Sequence, residues 1–114
     1  MEECLFCKII KGEIPCKKVY EDEYIFSFED INPEAPKHVL VVPKVHISSI
    51  NEITEQQKDL IGHIFISISK IAKELNISES GFRVVSNCGE DGGQTVNHLH
   101  FHLLGGRTLN WPPG

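Results

Sequence analysis

The chain has no stretch approaching the roughly 18 uninterrupted apolar residues of a membrane-spanning helix, which argues against a transmembrane protein. It also lacks a positively charged opening ahead of an apolar segment. Its first residues, Met-Glu-Glu, are acidic, so no secretory signal is expected and a cytoplasmic, soluble protein is the simplest reading. Basic residues are outnumbered, 11 Lys and Arg against 16 Asp and Glu for a formal charge of -5, and no basic block could neutralise several phosphates in a row. A polynucleotide partner is therefore not expected, whereas imidazoles, backbone amides and hydroxyls could still hold one small phosphorylated ligand. Internal repeats and low-complexity segments are absent as well. With 114 residues at 40% hydrophobic content, one domain spanning 1–114 can bury a real core.

Cysteine is sparse: Cys4, Cys7, Cys16 and Cys88. In a reducing compartment they do not suggest a disulfide framework. Cys4 and Cys7 make a Cys-x-x-Cys pair, but there is no second such pair, so a zinc site would need histidines to complete it. Plain buried thiols are the alternative. A redox Cys-x-x-Cys normally sits between a strand and a helix of a βαβ unit, a context these first residues do not offer.

The most informative segment is His98-Leu99-His100-Phe101-His102-Leu103-Leu104. Histidines alternating with large apolar residues predict a strand, with Leu99, Phe101 and Leu103 toward a core and the three imidazoles on the opposite face. Neighbouring histidines would lie roughly 6.5 Å apart and the outer two roughly 13 Å apart, too far for one metal ion to take all three easily. An adjacent pair could be half of a metal site. Alternatively, the row could present a nucleophile, an anion donor and a proton carrier along a phosphate chain, since imidazole exchanges protons near neutral pH.

The remaining pattern predicts an α+β fold with a five-stranded antiparallel sheet and two helices. A short helix over residues 4–11 ends at Gly12 before Pro15. Lys17–Glu21 and Tyr24–Glu29 read as a hairpin joined at Asp22-Glu23, and 31–36 as a loop ordered by Pro33 and Pro36. A third strand, His38–Val42, is apolar on both faces, as a central strand requires, and stops at Pro43. The second helix runs from about Glu55 to Leu75 behind a Thr54/Gln57 capping box, with Leu60, Ile61, Ile64, Phe65, Ile68, Ile71, Ala72 and Leu75 as its core stripe. His63 falls off that stripe and reads as a surface residue. Phe82–Asn87 predicts the fourth strand. The polar, glycine-rich run 87–95 reads as the hairpin turn before the histidine strand, and it could bring backbone amides, Gln94 and Thr95 to a bound phosphate.

Taken together these residues resemble the histidine triad (HIT) family of nucleotide hydrolases and transferases, whose His-φ-His-φ-His-φ-φ signature matches every position of 98–104. Phe28 to Pro33, Ala35-Pro36-x-His38, Val42-Pro43-Lys44-x-His46-Ile47, Asp91 to Thr95 and the ending Gly105-Gly106-Arg107-x-x-x-Trp111-Pro112-Pro113-Gly114 are similar to the Hint, or purine nucleoside phosphoramidase, branch. The terminal Trp-Pro-Pro-Gly sets this apart from the branch that hydrolyses dinucleoside polyphosphates.

The resemblance implies cleavage of the P–N bond of a purine nucleoside 5'-phosphoramidate, such as an adenylated amine, through a nucleotidyl-histidine on His100, with no cofactor needed for the chemistry. It implies that His102 and the Gln94-Thr95 amides stabilise the phosphate oxygens, with His98 and Thr95 near the leaving group. It further implies that Asp30 takes the ribose hydroxyls, that Asn87 sits by the phosphate, and that Leu5, Phe6, Ile9, Phe28 and Ile31 form the purine slot. Thr95 stands where the animal branch has serine, and Glu29 occupies a base-pocket position that often holds another residue. Microbial relatives with Cys-x-x-Cys imply a structural Cys₂His₂ zinc site of Cys4, Cys7, His46 and His98. A homodimer with a continuous sheet is implied too, with Trp111 reaching toward the partner's site. Two other activities stay open at this point: dinucleoside polyphosphate hydrolysis, or a zinc-bearing nucleotide-binding interaction module with little catalysis.

Overall fold

The computed structural model describes residues 4–114. Helix α1 (Leu5–Ile10) starts at Cys4, whose thiol accepts from the Cys7 amide at 3.4 Å, and ends where Gly12 takes a positive φ of 83°. Strands β1 (Lys18–Glu21) and β2 (Ile25–Glu29) form the expected antiparallel hairpin. Its turn is held by the Asp22 carboxylate, which accepts from the amides of Tyr24 at 2.8 Å and Ile25 at 2.9 Å. Strand β3 is Lys37–Pro43, β4 is Phe82–Val85 and β5 is Phe101–Gly105. They complete a five-stranded antiparallel sheet in the order β1-β2-β3-β5-β4, so the fold is α+β and β3 and β5 run side by side in its interior.

The two faces of the sheet carry different cargo. On one, Ile25, Val39, Val41, Phe101 and Leu103 pack with Leu99 against Ile64, Ile68, Ile71 and Ala72 of α2 (Lys58–Glu74). Each such side chain taken out of water contributes on the order of 1.5–3 kcal/mol, so this face holds most of the folding energy. On the other, Phe26, Phe28, Leu40 and Val42 pack with Phe6 and Ile9 of α1, flanked by the partly buried Cys4, Ile10, Ile14 and Val96, and this face carries the histidines.

Several expectations need correction. The fifth strand was expected to start at His98, but ladder pairing begins at Phe101, because Pro43, opposite Leu99 in the register, has no N–H to donate and the Leu99 amide donates instead to the Ile47 carbonyl at 2.6 Å. The alternation of faces survives this irregular entry. The glycine-rich run is more than a turn, since Gly89–Gly92 coil into a short helix, α3, closed by Gly93 at φ 82°. There are thus three α-helices rather than two among the described residues. The Thr54/Gln57 capping box is present, yet it opens a 3₁₀ turn, Glu55–Gln57, ahead of α2. Phe65, placed on the buried stripe, is 49% exposed and meets Phe101 edge-on. His63 is half-buried rather than a free surface residue: its Nε2 lies 2.7 Å from the Asp22 carboxylate, tying α2 to the first hairpin. That carboxylate loses solvation by burial, but the Tyr24 and Ile25 amides, His63 and Tyr20 outweigh the loss and hold its pKa at about 2.

Candidate active site and metal centre

The three histidines do not share one role, because each imidazole has a different partner on its inner nitrogen. His100 is buried, and its Nδ1 lies 2.6 Å from the His98 carbonyl oxygen. A carbonyl only accepts, so the ring proton sits on Nδ1 and the Nε2 lone pair is left for an electrophile. The peptide carbonyl of His100 is itself held by the Ser86 hydroxyl at 2.8 Å.

His102 is oriented by a chain of donors. The Glu34 amide donates to His38 Nδ1 at 3.0 Å, which places the His38 ring proton on Nε2; that nitrogen lies 2.9 Å from His102 Nδ1 and 3.4 Å from Asp30 Oδ2. His102 therefore accepts on Nδ1 and carries its own proton on Nε2. Burial, then the neighbouring His100 and His38, pulls its pKa down to about 4, so near pH 7 it is an uncharged donor. A free lone pair on His100 thus stands beside an N–H donor on His102, with ring centroids 5.2 Å apart.

His98 faces elsewhere. It is fully buried, and burial holds its pKa below the usual value. Its Nε2 donates to the Pro43 carbonyl at 2.9 Å, which frees Nδ1 as a lone pair. Around that Nδ1 lie Cys4 Sγ at 3.3 Å, Cys7 Sγ at 3.6 Å and His46 Nδ1 at 3.2 Å, and Cys7 Sγ is 3.5 Å from His46 Nδ1. Tetrahedral zinc, with bonds of about 2.0–2.1 Å to nitrogen and about 2.3 Å to sulfur, sets neighbouring ligand atoms roughly 3.3–3.8 Å apart. The spacing and the soft-plus-imidazole donor set both fit, so this cluster could hold a zinc ion. Asp30, His38 and His102 also converge, but there His38 offers a protonated nitrogen rather than a lone pair. That second group is a hydrogen-bond relay.

A cavity of about 240 Å³ opens in front of His100 and His102, walled by Leu5, Phe6 and Ile9 of α1, by Phe28 and by the Asp30–Ile31 corner, with Thr95 also in its lining. The expected slot residues therefore converge. Three others do not. Asn87 is not among the lining residues. Gln94 is engaged inside its own loop, its backbone amide donating to the Gly89 carbonyl and its side chain bridging the Gly89 amide with the Ser48 and Val96 carbonyls, so it braces the loop instead of presenting donors. Trp111 is 78% exposed, with the Arg83 guanidinium 5.8 Å from its ring, and touches no part of this cavity. Glu29 pairs with Val39 in the register and lines the cavity beside Asp30.

The model of the HIT domain family matches residues 11–109. The chain belongs to the HIT family. It is 49% identical over 113 residues to an uncharacterized HIT-like protein of Synechococcus elongatus, covering 99% of this chain and 98% of that one. Among solved structures it superposes on a HIT family hydrolase from Legionella pneumophila with a TM-score of 0.97 at 49% identity, over 98% and 100% of the two chains. A histidine triad nucleotide-binding protein from Candida albicans follows at TM-score 0.83 and 38% identity, over 96% and 83%. The fold is thus that of a HIT hydrolase. Within this HIT chain, sequence reasoning gave no role to His38, which it read as the start of a strand and as part of the Ala35-Pro36-x-His38 motif. A histidine two residues after Pro36 was the available signal; that it reaches His102 depends on Lys37–Val41 lying beside Phe101–Gly105.

Proposed function

We propose that this HIT protein is a phosphoramidase of the Hint kind, cleaving purine nucleoside 5'-phosphoramidates. The observation that carries the reading is the tautomer of His100, whose Nε2 lone pair is left free beside the cavity walled by Leu5, Phe6, Ile9 and Phe28. In the first step this lone pair forms a bond to the α-phosphorus while the P–N bond breaks and the leaving amine takes a proton from solvent. The His102 Nε2–H donates to a phosphate oxygen as charge builds there, and its alignment by His38 beforehand means no reorganisation is needed at that moment. Water then attacks the nucleotidyl-histidine, releasing the nucleoside monophosphate and restoring the lone pair. Asp30, 18% exposed at the slot corner, offers two acceptor oxygens suited to a ribose diol. Asn87 would approach the phosphate only after a shift of the loop it borders.

Cys4, Cys7, His46 and His98 would hold zinc, and a four-ligand closed site supplies structure rather than chemistry. This removes His98 from the leaving-group role. The exposed Trp111 supports the homodimer expectation, in which the tail of one protomer reaches the slot of the other. A brief quench with adenosine phosphoramidate followed by mass spectrometry tests the function. One added AMP on the wild type, absent from His100→Ala, is expected; an adduct that survives in the variant would reject His100 as nucleophile. Faster turnover of a diadenosine polyphosphate than of the phosphoramidate would move the chain to the other branch.

A further inference from the structure

The metal cluster and the purine wall are built from the same two turns of helix. Cys4 and Cys7 of the cluster bracket Leu5 and Phe6, which with Ile9 wall the cavity. The Phe6 ring stands edge-on to His98 at 5.9 Å, to His100 at 5.0 Å and to Phe28 at 5.5 Å. One aromatic side chain therefore touches a metal ligand, the nucleophile and the floor of the slot. Helix α1 has six residues, too few to hold a helix in water by itself. Its buried side chains are Phe6 and Ile9, with Ile10 packed beside them, and the thiols add a further anchor to the body of the protein. By contrast, the bonds that set the His100 and His102 tautomers, to the His98 carbonyl and through His38 to the Glu34 amide, include no atom of α1.

We propose that metal occupancy at Cys4, Cys7, His46 and His98 controls affinity for the purine nucleotide by docking α1, leaving the catalytic histidines in place. The inference rests on the zinc and nucleotide readings above. In the metal-free protein α1 is docked for only a fraction of the time, and apparent affinity falls by that fraction. With α1 docked about one-tenth of the time, the AMP dissociation constant rises about tenfold, KM for a phosphoramidate rises in step, and kcat changes little. Linkage makes the effect reciprocal, so saturating AMP tightens zinc binding by the same factor.

The test is calorimetric AMP binding to zinc-loaded, chelator-stripped and zinc-restored protein, with zinc content measured by elemental analysis and fold followed by circular dichroism. A reversible rise of about tenfold in Kd with the sheet intact, and a matching AMP-dependent resistance to a zinc chelator, is the expected result. Phe6→Ala in the loaded protein should bind AMP about as weakly as the stripped wild type, and stripping it should add little further loss. One zinc per chain with AMP affinity unchanged on stripping would overturn the coupling while leaving both underlying readings intact. Loss of the whole fold on stripping would overturn it too, since the metal would then hold more than α1. Protein that binds AMP but never zinc would reject the metal reading, and loaded protein that ignores AMP would reject the nucleotide reading; either takes the coupling with it.

Discussion

Replacing His38 by alanine isolates the donor chain that orients His102. The side chain is 6% exposed and bridges the Glu34 amide to His102 Nδ1 at 3.0 and 2.9 Å, with Asp30 at 3.4 Å. Without it, His102 is free to carry its proton on either nitrogen, and the tautomer that presents Nε2–H to the phosphate is no longer enforced. Loss of one preorganised donor to a developing oxyanion costs about 10²–10³ in rate; because His102 stays in place and regains the right tautomer part of the time, kcat should fall about 10–100-fold. The Glu34 amide also loses its acceptor, so stability should drop by about 1–3 kcal/mol. Removing His38 takes away one of the neighbours that, after burial and His100, hold the His102 pKa at about 4, so that pKa should rise. Single-turnover rates and thermal unfolding of His38→Ala and His38→Gln make the assay, since a glutamine amide can donate where His38 Nε2 did. Partial recovery in the glutamine variant is expected. A stable alanine variant within threefold of the wild-type rate would refute the donor chain.

The lowered pKa of His102 has a consequence for acid stability. In the unfolded chain this ring takes a proton as pH falls through about 6.5, whereas in the fold it resists until about 4, so the unfolded state binds more protons in that window and stability falls as the pH drops across it. The loss approaches about 3 kcal/mol. His98 is shifted in the same direction. Urea midpoints measured at fixed zinc content should therefore decline between pH 6.5 and 4.5 and decline less in His102→Asn, and equal slopes would count against the argument. Gly105→Ala probes the junction between the sheet and the segment after α2: an added Cβ would lie 2.8 Å from Ile77 Cδ1 and 3.0 Å from its Cβ. Ile77 is 2% exposed and has nowhere to move, so calorimetry should show a loss of about 1–3 kcal/mol, whereas a neutral substitution would mean the Ile77 contact relaxes freely.

The elements with a repeating apolar period were legible in the sequence, because period two and period 3.6 each bury one face whatever lies opposite. The hairpin, the central strand stopped at Pro43 and the α2 stripe belong here, as does the division of residues 98–104 into a core-facing and a histidine-facing set. That the cavity-lining residues and the Cys₂His₂ cluster come together was foreseeable only through resemblance, since nothing in local spacing brings residues 4 and 98 together. What tertiary structure alone decided was the role of each imidazole. Whether a ring nitrogen donates, accepts or is free depends on the atom opposite it: for His100 a peptide carbonyl, for His98 the Pro43 carbonyl, and for His102 a histidine 64 positions away in sequence. Those partners are set by sheet register and chain path, and three identical side chains at equal spacing are left with different free ring nitrogens because the fold gives each a different neighbour.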